Sequence, residues 1–233
     1  MTLILSYGEA GNGKSTQHVE ICRYNAPSIY LCMEVKDKKL LDMAGIETKQ
    51  IIAYDENYQE DAVKTIMNLE IAIREIIREN KYKFVVLDGI SDIRRFASKE
   101  WIFKDNLLRA KEHMAARSTI SGENKFAWAA INQRVLGILE PLINWSNITG
   151  THVFFTAQMS DAYLNNTKVG RQIAAGDWIE SDVDVKVRLY RNAEGGFMAR
   201  FEKLPGWAIP KDNDDTPISQ GALFALLGER GLI

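Results

Sequence analysis

Short apolar runs and amphipathic stripes alternate along most of the chain. Thr2–Tyr7 (TLILSY) reads as a buried strand, and Lys14–Asn25 as the helix after it, stopped by Pro27. Ser28–Glu34 (SIYLCME) is a second β-favouring run, Lys38–Ala44 a short helix ended by Gly45, and Lys49–Tyr54 a third strand. Within Gln59–Glu79, Val63, Ile66, Met67, Ala72, Ile73, Ile76 and Ile77 form a helical stripe. Glu70 and Arg74 make an i,i+4 pair on its flank. Lys83–Asp88 (KFVVLD) has no polar alternation, as expected of a parallel strand covered by helices on both faces. A polar, helix-prone region runs from Ile90 to about Arg117, followed by a loop at Ser118–Asn124 and a long helix at Phe126–Asn147 that tolerates Pro141.

His152–Gln158 (HVFFTAQ) is another buried strand, and Ser160–Asp177 is polar, Gly-containing and without periodicity. Asp182–Arg191 alternates strictly, Ala193–Gly196 (AEGG) turns, and Phe197–Leu204 returns, which predicts an antiparallel hairpin. Lys211–Thr216 reads as a polar loop and Ser219–Leu227 as a final helix. Strand–helix alternation followed by a hairpin predicts an α/β fold. Its central sheet is mostly parallel and flanked by helices, with an antiparallel hairpin near the C-terminus.

The length of 233 residues suits one large domain or two small ones. The absence of any linker-like stretch favours a single domain over 1–233, with a core over 1–205 and an extension over 206–233. With 46% hydrophobic and 26% charged residues, the chain is globular; disorder, collagen and coiled coil are excluded as global descriptions. A net charge of −2 speaks against a dedicated sequence-independent DNA binder, though not against a local basic strip. The two cysteines, Cys22 and Cys32, form no CxxC pattern, so free thiols in a reducing compartment are expected. No apolar run approaches the ~18 residues of a membrane span. No basic leader precedes the first strand, so the expectation is a cytoplasmic protein without a membrane partner.

The chemistry is concentrated in Gly8-Glu9-Ala10-Gly11-Asn12-Gly13-Lys14-Ser15, a complete G-x-x-x-x-G-K-[ST] with a strand before it and a helix after it. Such a loop turns its backbone N–H groups toward phosphate oxygens, and the following helix adds its positive end. Lys14 supplies a cation for the β- and γ-phosphates, the Ser15 hydroxyl a Mg²⁺ ligand, and Thr16 a contact near the α-phosphate. ATP and Mg²⁺ are the expected ligands. The metal also needs a carboxylate, and Asp88, at the carboxyl end of its strand, is the candidate. Gly89 follows it, which argues against the subgroup with a catalytic Glu at that place. Glu34, at the end of the second strand, is the candidate to polarise water, with Asp92 as rival. His18, His113 and His152 are scattered and read as structural or surface residues.

In this order of motifs the chain resembles the RecA/RadA ATPase core over roughly residues 1–205. Within that group it is most similar to short phage- and archaeal-virus-encoded proteins linked to single-strand annealing and recombination. The resemblance rests on the P-loop, on YLCME followed by a charged helix, on KFVVLDG, on VFFTAQ and on the closing strands DVDVKVRLYR and FMARFEKLPG. It implies that Glu34 activates water and that Gln158 senses the γ-phosphate. It also implies that Met159–Asp177 is a DNA-binding loop, and that Lys203, with Arg200, reaches a neighbouring copy's ATP site. A homo-oligomer with its active site at the subunit interface follows. The first strand opens at Thr2, so the expected assembly differs from the family's standard filament.

From the residues alone, Arg94–Arg134 holds nine basic against four acidic residues, interleaved with Trp101, Phe103, Phe126 and Trp128. Cationic grooves with aromatic platforms bind single strands without sequence preference. The alternative is a solvated amphipathic helix with core aromatics. Tyr163, Lys168 and Arg171, with Arg117 and Lys125, are the candidate nucleic-acid contacts. The leading reading is therefore a Mg²⁺-dependent ATPase acting on single-stranded DNA. Its alternatives are a nucleotide-switched regulatory or assembly ATPase that does not bind DNA and, less favoured, a small-molecule kinase.

Overall fold

The computed structural model describes the chain apart from residues 34–41, 43–44, 122–123, 165–166, 175–176, 209–214 and 220–221, and the side chains of 162–164, 167–170, 177–178 and 180. In chain order the elements begin with β1 (Leu3–Gly8), α1 (Lys14–Tyr24), β2 (Ser28–Cys32), β3 (Thr48–Gln50) and α2 (Ala62–Glu79). Then come β4 (Phe84–Asp88), α3 (Ile90–Lys111), α4 (Lys125–Thr149), β5 (His152–Leu164) and β6 (Thr167–Ile173). The last are α5 (Asp177–Asp182), β7 (Val185–Arg191), β8 (Phe197–Lys203), β9 (Asp215–Pro217) and α6 (Ala222–Glu229). The expected helix at 38–44 lies mostly outside the described residues, as does most of the 211–216 loop.

Among the described residues one sheet runs in the order β3-β2-β4-β5-β1-β7-β8-β9, with β6 paired to β5 alone. The pairs from β3 through to β7 are parallel, and β8 and β9 add antiparallel strands at one edge. This is the expected α/β architecture. Each buried strand is apolar on both faces because the sheet separates two cores. On one side Leu5, Leu31, Leu87 and Phe155 meet Ile73 of α2, Phe96 of α3 and Val135 of α4. On the other, Ile4, Val86, Phe154 and Val187 meet Ile21 of α1 and Leu223 of α6.

Local chemistry sets the ends of the helices. Asp61 caps α2 by accepting from Lys64 N–H at 3.0 Å, and Asn124 caps α4 by accepting from Ala127 N–H at 3.1 Å. The last helix docks on α1: Gln17 donates to Ser219 O at 2.7 Å and accepts from Leu223 N–H at 3.1 Å.

The strand expected over Lys49–Tyr54 is cut short, since β3 ends at Gln50, and a second expectation is overturned. The aperiodic segment after Gln158 is not a plain loop, because β5 continues to Leu164 and pairs with β6 in an antiparallel hairpin, Met159 opposite Ile173. Polar/apolar alternation marks a strand only where one face of it is buried. This hairpin extends beyond the covered sheet and is assembled by its backbone ladder, so the sequence pattern is blank there. The helix α5 was likewise unexpected.

Candidate functional site

The parallel strands bring their carboxyl ends together, and the P-loop leaves the end of β1. Gly8 lies beside Gln158 of β5 in the register. A Cβ on Gly8 would sit 2.2 Å from Leu189 O of β7, so only glycine lets the loop start this close to its neighbouring strand. Asn12 fastens the same loop, its amide donating to Leu189 O at 3.2 Å. Lys14 Nζ donates to Gly8 O at 3.0 Å and Glu9 O at 2.8 Å, which places the cation over the mouth of the loop.

Asp88 ends β4 and is 4% exposed. Three hydroxyls converge on its carboxylate: Ser15 donates to Oδ2 at 2.9 Å, the buried Tyr30 of β2 donates to the same oxygen, and Thr156 of β5 donates to Oδ1. Thr156 Oγ1 in turn accepts from Gly89 N–H at 2.7 Å. A buried carboxylate costs free energy unless its oxygens are hydrogen-bonded, and these donors satisfy both of them. Gly89 takes φ +95°, and a Cβ there would lie 3.0 Å from Met33 Cβ, which accounts for glycine after the carboxylate.

Ala10, Gly13, Lys14, Ser15, Asp88 and Gln158 line one cleft of about 360 Å³, together with Thr16, Thr156 and Phe197. Gln158 is fixed through its backbone, donating to Ser91 Oγ at 3.0 Å and accepting from Ala174 N–H at 2.9 Å. The structure thus brings together Gly8–Thr16, Asp88 and Gln158. The hydroxyl of Ser15 and the carboxylate of Asp88 are hard oxygen donors of the kind Mg²⁺ prefers, so the residues fit that ion.

Other expected site residues fall elsewhere. Glu34 lies outside the described residues. Asp92 accepts from Arg95 Nε at 3.0 Å, and its Oδ2 lies 3.0 Å from the position a Gly89 Cβ would take; burial pushes its carboxyl up, with Arg95 opposing. Arg95 also grips Glu60, and that hydrogen bond holds the Glu60 carboxyl down at about 2. Lys203 pairs with Lys186 across the β7–β8 ladder and donates to Ser181 O at 2.9 Å. Phe197, at the other end of β8, borders the cleft, so Lys203 stands a strand length of about 20 Å away at ~3.3 Å per residue and does not serve its own protomer's site. Arg200 is paired with Asp215 at 2.6 Å.

Among the nucleic-acid candidates, Tyr163 and Lys168 fall on the hairpin, with side chains outside the described residues. Arg171 is bound to Glu9 of the P-loop and lies 3.5 Å from Asp161. Arg117 stands over the Trp101 ring at 5.6 Å and reaches Asp105 at 3.6 Å. Lys125 begins α4, beside Phe126, which is 90% exposed. The basic surplus of Arg94–Arg134 is partly met by acids outside that window: Glu60 takes Arg95 and Lys99, and Glu70 takes Arg134 at 2.6 Å. Trp101 and Trp128 pack against the core.

Tyr30, Thr156, Ser91, Arg191 and Phe197 were not singled out in the sequence. Thr156 did carry a signal, as the hydroxyl inside an apolar strand, which needs a partner when buried. The others come together only through the sheet. Compared with known proteins, the chain matches no family model and no curated sequence. Among the described residues no helix is long and apolar enough to cross a membrane.

Proposed function

We propose that the chain is a Mg²⁺-dependent ATPase with a RecA-like core that works on single-stranded DNA in recombination, annealing or repair. The observation that carries the reading is the Ser15–Asp88 hydrogen bond at 2.9 Å. It joins a complete phosphate loop to a buried strand-end carboxylate in one cleft, the geometry nucleoside triphosphate chemistry requires.

In this reading the backbone N–H groups of Gly11–Ser15 and the start of α1 hold the phosphates, and Lys14 swings from the loop carbonyls to the β- and γ-oxygens. Ser15 and Asp88 hold Mg²⁺, which when bound neutralises charge on those oxygens. Glu34 takes a proton from water as the water oxygen attacks the γ-phosphorus and the bond to the β–γ bridging oxygen breaks. Gln158 reads the γ-phosphate and passes its state to the hairpin that β5 continues into. Lys203 of a neighbouring copy completes the site, which makes the working form a homo-oligomer.

One observation favours a second reading, a nucleotide-switched regulatory or assembly ATPase that never touches DNA. Arg95, Lys99, Lys104, Arg109 and Arg134, all within the proposed basic strip, are held in intramolecular ion pairs. Phosphate release measured with and without single-stranded DNA, over a series of salt concentrations, separates the two. Stimulation that declines with salt supports the first reading; turnover indifferent to DNA supports the second.

A further inference from the structure

The rim of the cleft carries an aromatic side chain that the phosphate chemistry does not use. Phe197 opens β8, and its ring edge lies 3.6 Å from the position a Gly13 Cβ would take. It borders the same cleft as Lys14 and Thr16 and is 37% exposed. Its setting is fixed. Ile218 N–H donates to Phe197 O at 2.9 Å, and Phe197 pairs with Arg191 across the hairpin. The Arg191 guanidinium stands 4.5 Å from the Phe197 ring centre and donates to Gly11 O at 3.3 Å, tying the ring to the phosphate loop itself.

A triphosphate seated on Lys14 and Ser15 runs past Thr16, and the nucleoside then leaves the loop at its rim. We infer that Phe197, backed by Arg191, is a stacking platform for the nucleobase of the bound nucleotide. This rests on the reading of Gly8–Ser15 as a nucleotide site. A ring held by a cation on a hairpin loses little freedom when a base covers it, and a phenyl face has no polar group with which to read base edges. The subsite therefore favours purines over pyrimidines through ring area and discriminates weakly between adenine and guanine.

The test is equilibrium binding of ATP and of inorganic tripolyphosphate, each with Mg²⁺, to the full chain and to Phe197→Leu and Phe197→Trp, with thermal melts confirming that each variant is folded. Aromatic–base stacking of ordinary strength predicts that Phe197→Leu weakens ATP about tenfold or more. Tripolyphosphate binding should be unchanged, and Phe197→Trp should bind ATP as tightly as the original chain. On the original chain GTP should match ATP within a few-fold, and CTP should bind more weakly than both. Equal losses for ATP and tripolyphosphate would reduce Phe197 to a packing residue of the loop, and undiminished ATP binding by Phe197→Leu would remove the platform. If the original chain bound tripolyphosphate but gained nothing from the nucleoside, the subsite alone would fall. Binding of neither ligand would overturn the nucleotide reading together with it.

Discussion

The cleft around Asp88 and the β5–β6 hairpin are joined by one strand yet are built in opposite ways. Around Asp88, side chains from α1, β2 and β5 converge on a single carboxylate that is almost out of contact with water. The hairpin is a backbone ladder, fastened near its root by the partly exposed Arg171 to Glu9 and Asp161. Convergent buried hydrogen bonds hold a geometry tightly and lose much when one partner is removed. Exposed ion pairs contribute little and yield easily. The first arrangement suits a site that must stay fixed around a transition state, the second a segment that changes with nucleotide state.

On the proposed shared site, the largest effect is expected at Lys203. Lys203→Ala is expected to bind ATP normally but to lose about 10³-fold or more in turnover, as for a transition-state cation supplied in trans. Mixing it with Glu34→Gln should restore part of the rate, because some interfaces then pair an intact Glu34 with an intact Lys203. Phosphate-release assays on the mixture check this, and no recovery would place the whole site within one chain.

A smaller effect is expected from Tyr30→Phe, which removes one donor to Asp88 while keeping the ring in its buried slot. Loss of an outer hydrogen bond to a metal-holding group typically costs 10–100-fold in metal affinity. A Mn²⁺ titration of the ATP complex followed by electron paramagnetic resonance should show a weakening of about that size, with Thr156→Ser close to normal. Smaller again is Arg171→Ala at the hairpin. Loss of partly exposed ion pairs should cost under ~1 kcal/mol in a denaturant melt, and it should lower the salt dependence of single-strand binding by about one phosphate contact. A destabilisation as large as a core substitution would erase the contrast between the two regions.

A pH-dependent effect lies at the opposite end of β5. Burial, aided by the positive N-terminus, lowers His152 from 6.5 to about 4. Its ring stacks on Phe84 at 5.3 Å. With the folded value below the unfolded one, its contribution to stability is complete above pH 6.5 and is lost as pH falls toward 4. His152→Gln should flatten the melting temperature across that window, and an unchanged acid slope would assign the lability to other groups.

The same division governs what could be read from the chain. The candidate loop Gly8–Ser15 was legible because its motif is eight consecutive residues between a strand and a helix. Asp88 was legible because a run of apolar residues ends on it, and the β7–β8 hairpin because one of its faces is buried and Ala193–Gly196 turns it. The donors from Tyr30 and Thr156 were not, since they meet Asp88 only after β2, β4 and β5 align in register. Phe197 reaches the cleft through the position of β8, more than 180 residues after Gly13. The β5–β6 hairpin left no pattern because its pairing is carried by peptide groups, which every residue shares. The charge count over Arg94–Arg134 could not show, for a related reason, that Glu60 in the turn before α2 and Glu70 in α2 pair with Arg95, Lys99 and Arg134.

The central claim is that Gly8–Ser15 and Asp88 form one site for a magnesium-bound nucleoside triphosphate, and calorimetric titration of ATP tests it most directly. Measured on the original chain and on Lys14→Ala, with and without Mg²⁺, the titration should give saturable one-to-one binding strengthened by Mg²⁺. Lys14→Ala, still folded by circular dichroism, should bind weaker by about 30-fold or more, the usual consequence of removing one partner from a hydrogen-bonded charge pair. Equal affinity in the folded variant, or no response to Mg²⁺, would contradict the account.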